Sequence, residues 1–331
     1  MSNPILQSEA TLPVSATDSQ GVSPLLGNIP QDPNTPGKEK HSGVYEQITN
    51  RIVALLEADT VPWQKPWNAQ TSLPRNLVSK RPYRGINVFL LLLQGYQSPF
   101  WLTFNQANQL GGRIRKGEKA CPIVFWKEIN VEDKETGEKE QIRLLRFYYV
   151  FNVAQCEGLK NIPLLSEQFG SLVRPAEIVA RMPQRPEVRL GMTQAFYSPA
   201  EDLVGMPSPE RFTKHEEYYS TLFHELVHST GHSKRLNRPT LTAKAGFGSD
   251  PYCKEELIAE MGAAFLCAHA GIQDLTLNNS ASYISGWLGR LKSDKKLVVH
   301  AAAQAQMAAD FILGTKPEES APESFGPTIS K

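Results

Sequence analysis

Hydrophobic residues recur with two different periods along this chain. A first helix is predicted by four apolar residues that repeat every three or four positions, Val44, Ile48, Ile52 and Leu55. A very apolar helix is then predicted from Asn87 to Tyr96, and a short helix from Phe104 to Leu110. Two strand-like segments follow, Cys121–Lys127 and Ile142–Val153, and the acidic segment between them is typical of a hairpin tip. The first part of the chain is therefore predicted to be an α+β domain.

The second part of the chain is predicted to be mainly helical. Short strand-like segments at 194–197 and 202–206 come first, and helices are predicted after Asp250, at 279–291 and at 295–313. The fold class is therefore α+β with two domains. The predicted limits are 1–40 for a disordered tail, 41–160 for the first domain, 161–185 for a linker region, 186–314 for the second domain and 315–331 for a flexible tail.

Length and composition narrow the class of protein. With 331 residues, of which 40% are hydrophobic, the chain has room for two domains with apolar cores. The sequence shows no apolar run of about 18 residues and no basic start before an apolar stretch, so we expect neither a membrane span nor a secretory signal. The four cysteines form no C-x-x-C pair, which is typical of reduced thiols. These features predict a cytoplasmic protein with no membrane partner.

The near-neutral net charge hides a strong asymmetry. Residues 51–127 contain eleven Lys and Arg residues against three acidic residues, which is a net charge of +8. Because the whole chain carries +1, the remainder carries −7. Segregation of this kind is typical of a polyanion-binding module joined to a second domain.

The basic segment also contains the aromatic residues that binding of single-stranded nucleic acid requires. Such binding needs cations along the phosphate backbone and aromatic faces for the bases. The predicted contact residues are Lys80, Arg81, Tyr83, Arg84, Arg113, Arg115, Lys116, Lys119, Trp63, Trp67 and Trp101. Neither basic cluster contains a recognisable base-reading helix, so weak sequence preference is expected. For any one aromatic ring taken alone, a place in the hydrophobic core is favoured, whereas the charge of the module as a whole favours nucleic-acid binding.

The segment from His224 to His228 has the pattern of a metal-dependent hydrolase. Two imidazoles four residues apart lie about one helical turn from each other on one face, where both can reach one zinc ion. Glu225 then lies beside the metal, where it can take a proton from a bound water. A capping box of Thr213 and Glu216, with Gly231 as a left-handed stop, predicts the limits of this helix.

A catalytic zinc site needs a third protein ligand. A histidine six residues after His228 would mark one class of zincin, but that position is Lys234, and Gly231 separates His232 from the helix. The downstream helix offers Glu256 and Glu260, which share one face. This spacing resembles the gluzincin arrangement, in which Glu256 is the ligand and Glu260 orients a ligating histidine. The reverse assignment of these two residues stays open, and another divalent metal is an alternative to zinc.

Several motifs together resemble a known family. They are Pro62-Trp63-Gln64-Lys65-Pro66-Trp67, Tyr83-Arg84-Gly85-Ile86-Asn87, Trp101-Leu102-Thr103-Phe104-Asn105-Gln106-Ala107, Gly111-Gly112 with Lys116-Gly117, Tyr218 to His232, and Glu255 to Glu260. The first four resemble the N-terminal domain of ArdC-type antirestriction proteins, which is related to domains at the front of some plasmid primases. The last two resemble the zincin-like, gluzincin-type metallopeptidase domain of that family. The resemblance covers nearly all of residues 42–313.

The resemblance implies a plasmid-encoded protein that binds single-stranded DNA nonspecifically and protects incoming conjugative DNA from host restriction. It implies a zinc metallopeptidase fold without deciding whether this domain cleaves anything. One rival is a pure DNA-binding or restriction-enzyme-masking protein whose metal domain is not catalytic. Another is a DNA-activated protease that acts on DNA-bound proteins. Single-stranded DNA is the expected partner. The rival hypotheses add a second partner, which is either a protein substrate or a host restriction enzyme.

Overall fold

The computed structural model describes residues 43–63, 73–132, 139–160, 162, 174–242, 250–272 and 281–315. The predicted tail at residues 1–40 lies outside these ranges, as do Trp67 and all of the predicted C-terminal tail except Thr315. In the part of the chain that is described, no helix is long and apolar enough to cross a membrane.

The N-terminal domain combines helices with a four-stranded sheet. Its helices are α1 (Val44–Glu57), α2 (Ile86–Leu92) and α3 (Phe104–Gln109). Its strands are β1 (Arg75–Asn76), β2 (Phe100–Leu102), β3 (Arg113–Ile114), β4 (Cys121–Glu132), β5 (Lys139–Asn152) and β6 (Cys156–Glu157). The sheet order is β1-β2-β5-β4, with β1 parallel to β2 and the other neighbours antiparallel. Strands β3 and β6 form a separate antiparallel pair.

The β4–β5 hairpin confirms the predicted pair of strands. Its ladder runs from Cys121 opposite Val150 to Glu132 opposite Lys139, so both strands extend further towards the tip than predicted. The added part of β4 includes glutamates, whose low strand propensity is overridden by pairing across the ladder. The predicted tip, residues 133–138, lies outside the described residues.

The C-terminal domain is helical around a small sheet. Its helices are α4 (Pro175–Arg181), α5 (His215–Thr230), α6 (Pro239–Thr242), α7 (Asp250–Ala270), α8 (Ala281–Ser293) and α9 (Leu297–Leu313). Its strands are β7 (Glu187–Leu190), β8 (Phe196–Ser198) and β9 (Leu203–Met206), in the order β7-β9-β8. Strand β8 runs antiparallel to β9 at one edge. Helix α4 lies within the predicted linker region and buries Ile178 and Val179.

The two domains share one hydrophobic core. Trp63 is fully buried and meets the ring of Trp287 on α8 edge-to-face, with the ring centroids 5.3 Å apart. Phe89 on α2 stacks on Phe265 of α7 at 4.9 Å between centroids. Aromatic pairs of this kind add stabilisation beyond the area they bury. Helix α7, which carries Glu256, and helix α8 therefore pack against the N-terminal domain.

Candidate metal centre

Helix α5 carries the histidine motif, and its first turn differs by one position from the predicted capping box. The N-cap residue is Lys214, and the carboxylate of Glu217 accepts hydrogen bonds from the backbone N–H groups of Thr213 and Lys214. Glu217 satisfies donors that would otherwise have no helical partner. The predicted box of Thr213 and Glu216 is therefore wrong by one residue, while the helix itself is confirmed.

Gly231 ends α5, but not as the left-handed stop that the sequence predicts. Its φ is −72°, which is a right-handed helical value. A Cβ at this position would lie 3.0 Å from the Arg238 guanidinium and from the Leu241 side chain. Close packing of the following segment, rather than backbone conformation, is therefore the reason for a glycine here.

Helix α7 lies against α5 and places a carboxylate beside both histidines. The Nε2 atoms of His224 and His228 are 3.1 Å apart. Glu256 lies 3.5 Å from each of them, through Oε2 to His224 and Oε1 to His228. The two helices approach closely where Gly262 faces Val227, because a Cβ on Gly262 would lie 2.8 Å from a Val227 methyl carbon. A residue without a side chain thus lets the two helices bring these three groups together.

These three side chains fit a divalent metal ion. A tetrahedral ion with bonds of about 2.0–2.2 Å holds its ligand atoms about 3.3–3.6 Å apart. The two histidine nitrogens are 3.1 Å apart, and each lies 3.5 Å from a different oxygen of the Glu256 carboxylate, so the distances between the three side chains lie close to that range. Two imidazoles and one carboxylate are donors that suit zinc and also harder divalent ions such as manganese. His232 lies apart from this set, and its Nδ1 accepts a hydrogen bond from the backbone of Lys234.

Two further glutamates face the outer nitrogens of the histidine rings. Glu260 lies 3.6 Å from Nδ1 of His224, and Glu255 lies 3.5 Å from Nδ1 of His228. Both carboxylates are almost fully buried. Glu255 is also held by Arg238, whose guanidinium donates to its carboxylate and to the backbone oxygen of Val227. Each histidine therefore has a carboxylate near its outer nitrogen, which is where the orienting carboxylates of metal-ligating histidines commonly lie.

The charges of the site raise the pKa of one imidazole and lower that of one carboxylate. Burial of His224 opposes its charged form, but the hydrogen bond to Glu256 and the charges of Glu260 and Glu225 outweigh burial and raise its pKa to about 10. Burial of Glu256 likewise opposes ionisation, but His224 and His228 lower its pKa to about 2. The imidazole of His224 therefore holds a proton beside Glu256. A metal ion that binds His224 and Glu256 would replace this proton.

Glu225 lies between the histidines in sequence and is almost completely buried. Burial raises the pKa of its carboxyl group, while the charges of His224 and His228 act in the opposite direction. The carboxylate accepts a hydrogen bond from the backbone N–H of Tyr197 on β8. This contact joins the edge strand to the residue expected to move protons. A carboxylate with a raised pKa is suited to accept a proton near neutral pH.

A buried ion pair fixes the strand beside Glu225. The Tyr197 hydroxyl donates to Asp202 at 2.9 Å, and Arg235 donates to both of these residues. Arg235 has only 1% of its side chain exposed, and it also donates to the backbone oxygen of Ser229 at the end of α5. One arginine therefore connects the end of the histidine helix to the turn between β8 and β9.

The predicted cations of the N-terminal domain lie at the surface, and several are paired with acids. All of them are exposed: Lys80, Arg81, Arg84, Arg113, Arg115, Lys116 and Lys119. Arg113 pairs with Glu157, and Arg115 pairs with Glu118. Among the described residues, Lys116 and Lys119 have no acidic partner. Because Arg113 and Arg115 are paired with acids, they contribute less to the net positive charge of this surface than the sequence suggests.

The aromatic residues predicted to stack on bases are in the core. Trp63 is 0% exposed, Trp101 is 2% exposed and Tyr83 is 5% exposed. None of these rings presents a face to a bound base, so we correct their assignment to structural residues of the core. The reason is that the domain is small and fills its interior with its largest side chains. Trp67 lies outside the described residues.

Comparison with known proteins agrees with this architecture. A family model described as the N-terminal domain of anti-restriction factor ArdC matches residues 42–151, and one described as a zincin-like metallopeptidase matches residues 177–304. The metal-free crystal structure of antirestriction ArdC from plasmid R388 superposes with a TM-score of 0.68 at 37% identity, covering 81% of this chain and 96% of that one.

The chain belongs to the ArdC family of antirestriction proteins. A second ArdC structure from R388, with the same TM-score and identity, has Mn(II) bound. Protein y4eC of Sinorhizobium fredii is 32% identical over 85% of this chain and 93% of its own length. DNA primase TraC of Escherichia coli is 33% identical over 83% of this chain, but the chain spans only 27% of that relative, and 20% of a second TraC protein.

Membership of the ArdC family accounts for the two-domain architecture. The zincin-like domain implies a divalent metal, which agrees with the donor set of His224, His228 and Glu256. The structure brings these three predicted residues together, whereas sequence reasoning missed the contacts of Glu255 and Arg235. Glu255 could have been found from its place directly before Glu256 in a buried helix, because a charged residue there requires a partner. No local signal marks Arg235, whose partners come from distant turns.

Proposed function

We propose that this ArdC-family chain binds single-stranded DNA with weak sequence preference, and that it protects incoming conjugative DNA from host restriction. Its second domain is a metal-dependent peptidase in this proposal. The exposed cations of the N-terminal domain support the DNA-binding part. The observation that carries the peptidase part is the convergence of His224, His228 and Glu256 beside Glu225.

The proposed metal is zinc, held by His224, His228 and Glu256. When bound, such an ion would polarise a substrate carbonyl and lower the pKa of water, so that attack becomes feasible at neutral pH. Manganese is the alternative, because a related ArdC has been solved with Mn(II). Elemental analysis of the purified protein, repeated on Glu256→Gln, identifies the metal and shows whether this residue retains it.

The proposed chemistry of the chain's own residues centres on Glu225. Its carboxylate accepts the proton of the attacking water and then delivers it to the leaving amine. Burial supports this role because it raises the pKa of the carboxyl group towards neutrality. Strand β8 lies at the edge of its described sheet, and in this proposal an extended peptide substrate lies along that edge.

Two tests separate the parts of the proposal. Conjugation into restricting and non-restricting recipients measures protection, and Glu225→Gln should reduce it if hydrolysis is needed. Unchanged protection by this variant would favour the pure binding protein. For the DNA-binding part, affinity for an oligothymidylate should fall steeply with salt, because phosphate contacts release counterions. An affinity that does not change with salt would contradict the assignment of the basic clusters.

A second candidate function is a protease that acts when the N-terminal domain has bound DNA. The shared core favours it, because Phe89 of the N-terminal domain stacks directly on Phe265 of the helix that carries Glu256. Such an enzyme degrades a DNA-binding protein only when both metal and single-stranded DNA are present. Equal degradation with and without DNA would exclude this candidate while leaving the peptidase intact.

A further inference from the structure

In a small lobe of the N-terminal domain, α3 packs with the segments that carry the two basic clusters. Its interior contains Leu77 from the first cluster's loop, Ala107 from α3 and, partly buried, Ile114 from β3. Leu77 precedes Lys80 and Arg81, while Ile114 precedes Arg115 and Lys116. Because these three apolar residues belong to one cluster, α3 packs with both the loop before Lys80 and the strand before Arg115. We call this unit, residues 76–81 and 103–119, the α3 lobe.

A pair of side-chain amides fixes the first cluster against α3. Asn76 is 1% exposed and donates through Nδ2 to Oε1 of Gln106 at 3.0 Å. Its Oδ1 accepts hydrogen bonds from the backbone N–H groups of Val78 and Ser79. The Gln106 oxygen also accepts from the backbone of Thr103, the N-cap of α3. The loop before Lys80 and the first turn of α3 are therefore held by the same two amides.

Phe104 is the first residue of this fixed turn, and its ring is exposed. Its exposed fraction is 54%, in a domain whose predicted stacking rings are almost completely buried. Two further apolar residues of the α3 lobe are also exposed, Val78 at 49% and Leu110 at 39%. Single exposed apolar residues are common on protein surfaces, but several in one small unit are more typical of an interaction site. Phe104 is the aromatic residue among these three.

Exposed cations belong to the same lobe as this ring. The ammonium group of Lys80 lies 5.5 Å from the centroid of the Phe100 ring, which is in the same apolar cluster as Ala107 of α3. In the second cluster, Lys116 and Lys119 are exposed and have no acidic partner among the described residues. Cations that follow a phosphate backbone, with an aromatic face between them, are the two components of a single-strand binding surface.

We propose that Phe104 is a base-stacking residue for single-stranded DNA, on a path that runs from Lys80 and Arg81 across α3 to Lys116 and Lys119. This assignment rests on the proposed function of the N-terminal domain. It replaces the buried Trp63, Tyr83 and Trp101 with a ring that a base can reach. Because any base offers a face to stack on, the platform binds without a strong sequence preference.

The test compares Phe104→Ala, Phe104→Leu and Phe104→Trp with the full-length wild-type chain by fluorescence anisotropy. One probe is a labelled 15-nucleotide oligothymidylate, and the other is the same backbone with abasic sites. Loss of one stacked base weakens binding by about 5-fold to 100-fold. We expect that loss for Ala and Leu on the oligothymidylate, near wild-type affinity for Trp, and no difference among the four proteins on the abasic probe.

Tyr149 provides the matched control, because its ring is 51% exposed on β5, outside the α3 lobe. Tyr149→Ala should bind both probes as the wild type does. If Phe104→Ala binds the oligothymidylate with wild-type affinity, or if only Tyr149→Ala weakens binding, the stacking assignment is overturned while the proposed DNA binding stands. If the wild-type chain does not bind the oligothymidylate, both the stacking assignment and the proposed DNA binding are overturned. Thermal unfolding of each variant shows that the exposed substitutions leave the fold intact.

Discussion

Arg84 of the N-terminal domain forms an ion pair with Asp310 of α9. The same contact is reinforced by Gln306, which accepts a hydrogen bond from the backbone of Gly85 and donates to Asp310. The Asp310 side chain is only 7% exposed, whereas Arg84 is 45% exposed. Arg84, which the sequence assigns to DNA binding, is thus paired with an acid of the second domain. The two domains are joined by polar contacts as well as by a shared hydrophobic core.

We expect Arg84→Ala to destabilise the protein more than it weakens DNA binding. The variant leaves the nearly buried carboxylate of Asp310 with one fewer hydrogen-bond donor. Because water can reach the vacated place, we expect the cost to be only about 1–2 kcal/mol. Urea unfolding measures this loss, and anisotropy measures binding. Lys116→Ala is the comparison, since it should weaken DNA binding without lowering the free energy of unfolding. The opposite pattern would return Arg84 to the DNA-contact residues.

The close approach of α5 and α7 at Gly262 predicts an effect on both stability and metal binding. Gly262→Ala places a methyl group against Val227, which should cost about 1–3 kcal/mol and move Glu256 relative to His224 and His228. Urea unfolding and metal titration measure the two effects. Gly289→Ala on α8 is the matched control, because a Cβ there meets open space and should stabilise the helix by about 0.5–1 kcal/mol. Equal behaviour of the two variants would contradict the packing argument.

Metal binding should stabilise the folded chain, and the effect should depend on Glu256. A ligand at about 100 times its dissociation constant adds about 2.7 kcal/mol to the free energy of unfolding. Thermal unfolding with and without added Zn²⁺ or Mn²⁺ measures this increment within each protein. Glu256→Gln should lose most of it, whereas Glu177→Gln, an exposed acid on α4, should keep it. Retention of the full increment by Glu256→Gln would place the ion elsewhere.

The sequence predicted the longer helices, the β4–β5 hairpin and the three converging side chains because these follow from local patterns, but it missed α4 and the short strands such as β1 and β7. Helical spacing places His224 and His228 on one face, and a buried helix with Glu256 limits the third ligand to a few positions. The outer contacts depend on tertiary structure instead. Arg235 reaches Asp202 across 33 positions of sequence, and no periodicity encodes such a pair. Trp63, Tyr83 and Trp101 were predicted to stack from residue type, and this was wrong because aromatic rings that suit a base also suit a core.

The ion pair of Asp202 and Arg235 predicts a specific dependence of stability on pH. Burial opposes ionisation of Asp202, but hydrogen bonds from Arg235 and Tyr197, with the arginine charge, outweigh burial and lower the pKa of the carboxyl group below 3.8. A carboxyl group whose pKa is lower in the folded state stabilises the protein above its unfolded pKa. This stabilisation is lost as pH falls through the folded value.

We therefore expect Asp202→Asn to cost on the order of 3 kcal/mol at pH 7, because it leaves the buried guanidinium of Arg235 without its carboxylate. The difference from wild type should shrink as pH falls below about 4. Urea unfolding of both proteins at pH 7, 5 and 3.5 measures it, and the comparison cancels the titration of groups that the two share. A difference that stays constant over this range would show that the charge of Asp202 does not stabilise the fold. Since Tyr197 also holds Glu225, the same variant should reduce any peptidase activity at neutral pH.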